Sequence, residues 1–562
     1  AIKPLPRRKL YEKVPLLDCF TAPCKGGCPI HQDIPEYIEL CRKGAYASAL
    51  RLITEKNPLP FITGTICAHN CMTKCMRNYY DEPVNIRATK LVAAEKGYDA
   101  YMSKITPPAP VTDGRKVAVI GGGPTGMSAA YFVGRAGIPV TLFEKADRLG
   151  GIVRQVIPAF RISDEAIDKD VALIEKMGVE VKLNTEAPSV AELKAQGYTH
   201  IFFAVGAWKA GRLDIPGNVV PVIGWLRDMK AGKDVSLGHV AVVGGGNTAM
   251  DAARAALRAG AKSSTLVYRR TKKYMPADAE ELEMAIADGV EFLELVAPVE
   301  QKDGKLICEK MKLGDPDDKG RRKPVPTGEM VEIPCDTVVS AVGEKVESEV
   351  FTRNGITVDE KGIPAFKTNL EGVYAGGDAM RGPATVVEGI ADAQYFANAV
   401  IGEAHKFAIP AKAVATREEA VAKKGVLCES AKCEGDRCLT CNVVCQVCAD
   451  VCPNRANVVI ELPDGRQQIL HVDRMCNECG NCAVFCPYDS APYREKFTLF
   501  LTREGFDESV NNQGFLPLGG KKVLVRLDSK VFEADLDAKN DLPADIEVFI
   551  WTVLTKYAYL MG

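Results

Sequence analysis

The chain has 562 residues and a formal net charge of −2, and 47% of its residues are hydrophobic. This length is too great for one hydrophobic core, so we expect about three to five domains. The near-zero charge gives no reason to expect nucleic-acid binding. No apolar run reaches the roughly 18 residues that a membrane span needs. The basic residues 1–17 lack the apolar core of a secretory signal, and we expect a cytoplasmic protein.

The 20 cysteines are clustered: seven lie within residues 19–75, two are Cys308 and Cys335, and eleven lie within residues 428–486. Many of them follow one another at spacings of two or three residues. Such crowding in a chain without an export signal indicates metal ligands in a reducing compartment rather than a disulfide framework.

The N-terminal cysteines flank a predicted helical hairpin. One helix is expected from Ile34 to about Lys43 and a second from Ala45 to Lys56, with proline at the start of the first. A cysteine followed by proline, as at Cys28, is typical of iron–sulfur loops. The pattern predicts an α-helical iron–sulfur domain at residues 1–110. Its candidate ligands are Cys19, Cys24, Cys28, Cys67, Cys71 and Cys75.

These six thiols do not complete two sets of four cluster ligands. Three interpretations stay open: one cluster with spare thiols, two clusters with non-cysteine ligands, or a zinc site. The spacing of three residues between neighbouring cysteines differs from that of a zinc ribbon, which favours iron–sulfur over zinc. Cys41, within a predicted helix, is interpreted as a core residue.

A dinucleotide fingerprint follows a proline-rich linker at residues 105–110. The apolar strand 117–120 leads into three glycines and then into an alanine-rich helix, which is the context that G-x-G-x-x-G requires. The first glycine permits a tight turn, the second leaves room for a pyrophosphate, and the third allows close packing of helix and strand. Glu144, at the end of the next strand, can accept both ribose hydroxyls. The glycines are Gly121, Gly123 and Gly126.

Further residues are candidates for the same site. A Gly-Gly turn ends at Gly151, a buried strand ends at Gly206, and Asp378 follows another strand and a Gly-Gly turn. Asp378 can bond a flavin ribityl or pyrophosphate-linked hydroxyl, and the alternative is an ordinary helix cap. The candidates besides the fingerprint and Glu144 are Pro124, Lys145, Gly151, Arg154, Gly206, Gly377, Asp378 and Thr385.

The chain then nearly repeats the fingerprint, which indicates two dinucleotide folds in tandem. Where the first fold ends its second strand with Glu144, the second has Arg269 and Arg270. Two guanidinium groups suit a 2′-phosphate, so this site is predicted to bind NADP(H) rather than NAD(H). The alternative is that both arginines are solvated surface charges. The other candidates here are Gly244, Gly246, Asn247, Thr248, Ala249 and Gly343.

A two-cluster ferredoxin signature ends the cysteine-rich C-terminal segment. Residues 476–487 match C-x2-C-x2-C-x3-C-P, in which the last cysteine ligates the other cluster. One predicted ligand set is therefore Cys452, Cys476, Cys479 and Cys482. The other predicted set is Cys441, Cys445, Cys448 and Cys486, with Cys438 as the alternative to Cys441 because the regular position holds Asn442.

The predicted fold class is multidomain α/β with two tandem Rossmann-like dinucleotide-binding domains, and the family resemblance that these motifs carry implies that the NADP(H) domain is inserted into the FAD domain. An N-terminal α-helical iron–sulfur domain precedes these two Rossmann-like domains, and a two-cluster [4Fe–4S] ferredoxin-like domain follows them. The expected domain ranges are 1–110 (iron–sulfur), 111–235 with 351–405 (FAD), 236–350 (NADP(H)), 406–426 (linker), 427–500 (ferredoxin-like) and 501–562 (β-rich, with a terminal helix).

Residues 18 to about 405 resemble the small subunit of glutamate synthase and the N-terminal part of dihydropyrimidine dehydrogenase. With the ferredoxin segment added, nearly the whole chain resembles the flavin/iron–sulfur subunits assigned to selenate reductase, and subunits of electron-bifurcating transhydrogenases. The resemblance implies FAD at residues 121–144 and Asp378, NADPH at residues 244–270, and N-terminal clusters beside the flavin. Relatives complete those clusters with a cysteine and a Gln or Glu, where this chain has Leu16 and Lys90.

The sequence therefore predicts hydride exchange between NADP(H) and FAD, followed by single-electron transfer through [4Fe–4S] clusters. The expected partners are other redox subunits of a complex, or ferredoxin, and no catalytic acid, base or nucleophile is expected. The alternatives are a stand-alone NADPH:ferredoxin-type reductase and an electron-donating subunit like that of glutamate synthase. A disulfide reductase is disfavoured because the FAD segment lacks a C-x4-C pair, and intact motifs argue against a non-enzymatic scaffold.

Overall fold

The computed structural model describes residues 9–17, 21–235, 237–316, 322–402, 415–428, 431–509 and 512–562. The chain forms two compact units. The cysteine-rich unit consists of Ala1–Ala49, His69–Thr89 and Ala408–Gly562. The dinucleotide unit consists of Leu50–Ala68 and Lys90–Phe407.

The α-helices are numbered in chain order. They are α1 (Pro23–Gly26), α2 (Ile34–Arg42), α3 (Tyr46–Thr54), α4 (Pro60–Ile66), α5 (Asn70–Thr73), α6 (Ile86–Met102), α7 (Pro124–Arg135), α8 (Gly151–Gln155), α9 (Asp164–Glu175), α10 (Val190–Ala195), α11 (Val222–Lys230), α12 (Asn247–Arg258), α13 (Ala279–Ala287), α14 (Glu349–Thr352), α15 (Asp378–Arg381), α16 (Val386–Ile401), α17 (Arg417–Ala422), α18 (Glu434–Arg437), α19 (Val447–Asp450), α20 (Asn481–Phe485), α21 (Pro492–Glu495), α22 (Arg503–Glu508) and α23 (Ala544–Lys556). Short 3-10 helices occupy Met76–Tyr79, Lys272–Tyr274, Asp473–Met475 and Ala558–Met561.

The strands are numbered in the same way. They are β1 (Val117–Ile120), β2 (Val140–Phe143), β3 (Glu180–Lys182), β4 (His200–Phe203), β5 (Lys209–Ala210), β6 (Val219–Pro221), β7 (His239–Gly244), β8 (Ser263–Tyr268), β9 (Glu291–Glu294), β10 (Val296–Lys302), β11 (Lys305–Pro316), β12 (Arg322–Pro334), β13 (Thr337–Ala341), β14 (Glu344–Lys345), β15 (Val373–Ala375), β16 (Asn457–Glu461), β17 (Gln467–Val472), β18 (Thr498–Leu499), β19 (Gly514–Gly519), β20 (Lys522–Leu527) and β21 (Lys530–Asp535).

The first dinucleotide fold is a parallel sheet with strand order β15-β4-β1-β2-β3. Its central strand β1 is an uninterrupted apolar run, as expected for a parallel strand covered on both faces. Helices α7 and α16 pack against each other. Phe202 on β4 stacks on Phe396 of α16 with ring centroids 4.4 Å apart, which fixes that helix to the sheet.

The second dinucleotide fold repeats this plan with strand order β6-β13-β7-β8-β9, and all its strands are parallel. The glycine-ended strand β7 is again central, as β1 is in the first sheet. A three-stranded antiparallel sheet, β10-β11-β12, is attached to it. The tandem repeat expected from the sequence is thus present as two sheets of the same construction.

The second fold is inserted into the first, because the chain returns to the first sheet as β15 after leaving the second. The insertion begins earlier than predicted: β6 pairs with β13 of the second sheet, although residues up to 235 were assigned to the FAD domain. The two chain crossings form an antiparallel ribbon of β5 and β14. At this ribbon the Gly211 amide donates to the Gly343 carbonyl at 2.7 Å.

The N-terminal segment is helical, as expected: α2 and α3 fall within the two predicted helices. Residues 50–68 and 90–110, however, are grouped with the dinucleotide unit rather than with the N-terminal cysteines. In the cysteine-rich unit, α1 packs against α5, and an added Cβ on Gly27 would lie 2.6 Å from Cγ of Lys74. The cysteine segments of this N-terminal region are therefore brought together.

One six-stranded sheet, in the order β16 to β21, runs through the rest of the cysteine-rich unit. It crosses the predicted boundary at residue 500, because β17 of the ferredoxin-like segment pairs in parallel with β18, and β18 with β19. The C-terminal helix α23 packs on this sheet through Phe549 and Ile550, which are fully buried. Within the described ranges, none of the helices combines the length and the apolar composition that crossing a membrane requires.

Candidate functional site

A cavity of about 330 Å³ lies at the carboxyl ends of the strands of the first sheet. Ligands of parallel α/β sheets bind at this edge. The residues that line the cavity and were predicted from the sequence are Gly121, Gly123, Pro124, Glu144, Lys145, Gly151, Gly206, Asp378 and Thr385.

The glycine-rich turn has no room for side chains at two of its positions. Gly121 has a φ of +104°, and an added Cβ there would lie 2.5 Å from the Ala204 carbonyl oxygen. An added Cβ on Gly126 would lie 1.8 Å from the Gly121 carbonyl oxygen. At Gly123, by contrast, the nearest atom lies 3.9 Å from the added Cβ. The turn packs tightly beneath the cavity and leaves open space at Gly123, which fits an approaching pyrophosphate.

Helix α7 supplies the second element of an anion site. It begins at Pro124 with Gly123 as its N-cap, and no side chain bonds the cap. The amides of its first turn therefore remain available to a phosphate. Gly151, which has a φ of +52°, closes the opposite wall, since an added Cβ would lie 2.7 Å from the Gly123 Cα. Two backbone turns thus form a cradle for a dinucleotide.

Glu144 connects the turn to the end of β2. Its carboxylate accepts hydrogen bonds from the Gly122 amide at 2.6 Å and from the Ala146 amide at 2.7 Å. Each carboxylate oxygen accepts more than one hydrogen bond, so this side chain keeps capacity for ribose hydroxyls. The carboxylate thus also holds the glycine-rich turn in place.

Asp378 lines the far side of the cavity at the start of α15. Burial raises its pKa to about 6, and its Oδ1 accepts a hydrogen bond from the Ala384 amide at 3.1 Å. Thr385 then caps α16 through a reciprocal pair of hydrogen bonds with Glu388. Asp378 therefore both stabilises the following loop and presents a carboxyl group to the cavity.

Three predicted residues do not line this cavity. Gly126 packs beneath the turn, and an added Cβ on Gly377 would lie 2.3 Å from Thr125 Oγ1. Arg154 is buried, with its Nε donating to the Leu149 carbonyl at 2.5 Å and Nη2 to Asp168 at 2.5 Å. The structure therefore gives Arg154 a role in holding the Gly150–Gly151 turn, which its position in the sequence did not indicate.

Other lining residues were missed by the sequence analysis. Residues 185–188 follow β3, and Trp208 follows β4, so the rule that ligands bind after parallel strands could have found them. Four further lining residues come from the segment around α14, which joins the wall only through tertiary packing: Glu347, Val350, Arg353 and Asn354. No local pattern marks that segment.

The second dinucleotide fold presents the same turn. Helix α12 begins at Asn247 with Gly246 as its N-cap, and Thr248 lies in its first turn. An added Cβ on Gly244 would lie 2.3 Å from the Ala341 carbonyl oxygen, and Ala249 is fully buried. Asn247 accepts a hydrogen bond from the Asp278 amide at 3.0 Å, which ties the turn to the loop before α13. Gly343, with a φ of +105°, follows β13 at the same edge of the sheet.

Arg269 and Arg270 come directly after β8, at the carboxyl edge of the second sheet. Arg269 is exposed and Arg270 is half-buried. Neither forms an ion pair with any residue that the structure describes, and the buried Nε of Arg270 has no hydrogen-bond partner there. Two uncompensated guanidinium groups at this position fit a dianionic phosphate.

The ferredoxin-like segment forms a small cavity of its own in the cysteine-rich unit. Its lining includes the four thiols that the motif assigns to one cluster, namely Cys452, Cys476, Cys479 and Cys482. Helices α19 and α20, which carry the two halves of the ferredoxin repeat, pack against each other. They bear Cys448 and Cys482, and Cys445 and Cys486 flank them.

The N-terminal cysteines gather around α1 and α5. Burial raises the pKa of Tyr37 on α2 well above its usual value, and the thiols of Cys71, Cys24 and Cys28 add to this. Cys67 belongs to the dinucleotide unit, and Cys19 lies outside the described residues. None of the described cysteines forms a disulfide. No group of three described His, Cys, Asp or Glu side chains can hold a single metal ion.

Two family models match the chain. Residues 115–393 match the pyridine nucleotide-disulphide oxidoreductase family, and residues 12–100 match domain II of dihydropyrimidine dehydrogenase, a 4Fe-4S cluster domain. Among solved structures, FprA of Mycobacterium tuberculosis in complex with NADPH aligns with a TM-score of 0.44 and 21% identity, over 51% of this chain and 84% of that one.

Curated relatives cover the whole chain. It is 41% identical to the oxidoreductase YgfK of Escherichia coli (strain K12), over 100% of this chain and 57% of that protein. It thus spans little more than half of that relative's length. It is 36% identical to the NADPH-Fe(3+) oxidoreductase subunit beta of Geobacter sulfurreducens, over 70% of this chain and 63% of that one. It is also 31% identical to the glutamate synthase [NADPH] small chain of Escherichia coli (strain K12), over 68% of this chain and 89% of that one. The fold, the glycine-rich turns and these relatives together show that the chain belongs to the glutamate synthase small-chain family of pyridine nucleotide-dependent, iron–sulfur oxidoreductases.

Proposed function

We propose that the chain is an NADP(H)-dependent flavin/iron–sulfur oxidoreductase subunit that exchanges electrons between a pyridine nucleotide and a partner redox subunit. The observation that carries this proposal is the contrast between two otherwise similar sites in one unit. The first site ends its second strand in Glu144, and the second ends it in Arg269 and Arg270. One site therefore suits a dinucleotide without a 2′-phosphate, and the other suits a dinucleotide that carries one.

The first site fits FAD. The residues that would hold it are the glycine-rich turn and the first turn of α7 for the pyrophosphate, Glu144 for the ribose, and Asp378 with Thr385 on the facing wall. When bound, a flavin supplies the conversion between a two-electron hydride and single electrons.

The second site fits NADP(H). Its glycine-rich turn and the amides of α12 would hold the pyrophosphate, and Arg269 with Arg270 would hold the 2′-phosphate. The ribbon of β5 and β14 is the double connection between the two folds. Two covalent connections that pair as one ribbon limit how far the two folds can separate.

Relatives support the idea of a partner. The Geobacter protein is a subunit beta of an NADPH-Fe(3+) oxidoreductase, and a relative from Moorella thermoacetica, 36% identical, is the subunit beta of an NADP(+)-dependent formate dehydrogenase. The cavity of the first sheet suits a flavin, and the ferredoxin-like cavity suits a cluster. We therefore expect the terminal substrate to react on another subunit, in an electron-bifurcating transhydrogenase or in a terminal reductase such as a selenate reductase.

The test is anaerobic purification of the tagged chain from its native host. We expect yellow-brown protein, a copurifying redox subunit, and bleaching of both flavin and cluster absorption on addition of NADPH. Spectra unchanged by NADPH would contradict the nucleotide assignment. Full turnover of a terminal substrate by the purified chain alone would contradict the partner.

A further inference from the structure

A second thiol-lined cavity in the cysteine-rich unit joins two segments that lie far apart in the sequence. Its cysteines are Cys24 and Cys75 from the N-terminal segment and Cys438 and Cys441 from the segment before the ferredoxin repeat. Most of the remaining lining is apolar, including Ile34, Ile38, Met76, Val84 and Leu439. We propose that these four cysteines ligate one [4Fe–4S] cluster, assembled from these two separate segments of the chain.

The ferredoxin-like cavity is another thiol-lined cavity with which this one can be compared. That cavity is lined by the four thiols of an established cluster motif, and it lies in the same unit of the chain. Among the described residues neither place offers three side chains that can hold a single metal ion. Four thiols around a cavity, rather than converging on a point, suit a cage of several metal atoms.

Fixed contacts hold the two segments together. Helix α18 ends directly before Cys438, and its Arg437 donates to the Glu82 carbonyl at 2.7 Å and pairs with Asp81 at 3.2 Å. Glu434, at the start of α18, accepts a hydrogen bond from the Asn85 amide at 2.8 Å. The helix immediately before Cys438 is therefore anchored to the N-terminal segment.

The residue after Cys441 is anchored as well. Asn442 occupies the position where the ferredoxin repeat normally has a cysteine, and its Nδ2 donates to Glu36 of α2 at 2.8 Å. Between the two cysteines, Thr440 has a φ of +49° and is 2% exposed. Strained, buried backbone of this kind is maintained at functional sites. It sets the direction of the turn that presents Cys438 and Cys441 to the cavity.

A buried guanidinium lies at the wall of the cavity. Arg77 is 1% exposed and lines the cavity together with Cys75. Arg77 and Arg437 both pair with Asp81, and Arg437 also pairs with Glu434, so the two cations are matched by two carboxylates. A cluster with four thiolate ligands is anionic, and a guanidinium beside it stabilises that charge at short range.

A simple core role does not account for the four thiols. Cys308 and Cys335 show what such a role looks like in this chain: both are fully buried within one hydrophobic cluster of the dinucleotide unit. Burial raises the pKa of Cys308 to about 12, as it does for Cys438, so a high pKa does not distinguish a ligand from a core residue. The distinguishing feature is the convergence of four thiols from two segments on one cavity.

Cys441 is then a ligand of this cluster and not of a cluster of the ferredoxin repeat. Cys441 lines the cavity with Cys24, Cys75 and Cys438, whereas Cys445, the next cysteine of the ferredoxin repeat, does not line it. The inference concerns iron binding alone, and it holds whichever nucleotide reduces the flavin.

The experiment compares iron, acid-labile sulfide and electron paramagnetic resonance spectra of dithionite-reduced variants of the full chain. Cys438→Ala and Cys75→Ala should each lose about four iron atoms and one cluster signal. The double variant should lose no more than either single variant, because both residues hold the same cluster. Cys433→Ala is the matched control, because Cys433 is exposed in the same segment and does not line the cavity. It should keep the full iron content.

Two outcomes would overturn the inference. Unchanged iron and spectra in Cys438→Ala would remove Cys438 from any cluster, and a loss of about eight iron atoms in the Cys75/Cys438 double variant would place the two residues in different clusters. Loss of about eight iron atoms in a Cys438/Cys441 double variant would likewise contradict the four-thiol set. If an alanine variant does not fold, Cys438→Ser serves instead, since its oxygen can replace sulfur and should shift one cluster signal.

Discussion

Arg161 and Glu281 form a bidentate ion pair between the two dinucleotide folds, with Nη1–Oε2 and Nη2–Oε1 distances of 2.5 and 2.6 Å. Arg161 lies between α8 and α9 of the first fold, and Glu281 lies on α13 of the second. The same guanidinium donates to Asp251 of α12 at 2.6 Å. One arginine thus joins two buried carboxylates across the contact between the folds.

Replacing Arg161 by alanine should destabilise the dinucleotide unit by about 3–5 kcal/mol, because it leaves buried carboxylates without their partner. The measurement is the free energy of unfolding from denaturant titration monitored by flavin fluorescence. Lys305→Ala is the matched control, because it removes an exposed ion pair with Glu332 in the same unit. Equal stability of the two variants would contradict a structural role for the ion pairs of Arg161.

The ion pairs of Arg161 with Glu281 and Asp251 also predict a pH dependence of stability. Burial raises the pKa of Asp251 to about 6, with Glu281 adding to the shift and Arg161 and Arg254 opposing it. The folded state therefore holds this proton more tightly than the unfolded state, whose carboxyl has an ordinary pKa near 3.9. The resulting stabilisation is complete below that ordinary value and is lost as pH rises through about 6.

Asp251→Asn removes this titration and keeps an acceptor for Arg161. Between pH 4 and pH 7 the unaltered chain should lose on the order of 2 kcal/mol that the variant does not lose. Unfolding titrations at several pH values measure the difference between the two proteins. Parallel pH profiles would show that Asp251 is not the responsible group.

Removing the guanidinium groups at the second site should change the choice of nucleotide. Arg269→Ala and Arg270→Ala should each slow flavin reduction by NADPH about ten- to hundredfold, the loss expected for one charge-assisted contact to phosphate. Reduction by NADH should stay the same, since NADH lacks that phosphate. Stopped-flow absorbance under anaerobic conditions gives both rates. Arg258→Ala, at the other end of α12, is the control and should leave the ratio of the two rates unchanged.

A single methyl group should disrupt the first site. Gly126→Ala places a Cβ 1.8 Å from the Gly121 carbonyl oxygen, so the turn and α7 must separate. We expect loss of bound flavin and a lower unfolding temperature, measured by absorbance and calorimetry. Gly224→Ala is the matched substitution in α11, where no atom lies within 4 Å of the added Cβ. It should keep the flavin and stabilise the helix by about 0.5–1 kcal/mol.

The ferredoxin-like cavity makes a separate prediction. Cys479→Ala should lower the iron content by about four atoms per chain, because Cys479 lies with Cys452, Cys476 and Cys482 around one cavity and alanine offers no ligand atom. Cys428→Ala is the control, because Cys428 lines neither cysteine cavity. Iron and sulfide analysis measures both. An unaltered iron content in Cys479→Ala is the result that the ferredoxin interpretation cannot accommodate.

Much of the fold followed from local sequence patterns. The strand–glycine–helix motif at residues 117–126 predicted the first dinucleotide fold, and its near repetition predicted the second. Buried parallel strands are recognisable because they are continuous apolar runs. The strand β6 was missed because three residues ending in proline carry no such signal, and only its pairing with β13 reveals it.

Local sequence was enough to predict the chemistry that a few neighbouring residues can encode: two glycine-rich turns, the change from Glu144 to Arg269 and Arg270, and the spacing of the ferredoxin cysteines. Features that depend on residues distant in the chain became visible only in the folded structure. Tertiary packing set Arg161 between Asp251 and Glu281, and it brought Cys438 to the cavity of Cys24 and Cys75. The reason is physical: turns and caps are fixed by contacts within a few residues, whereas ion pairs and thiol cavities form only when packing brings separate segments together.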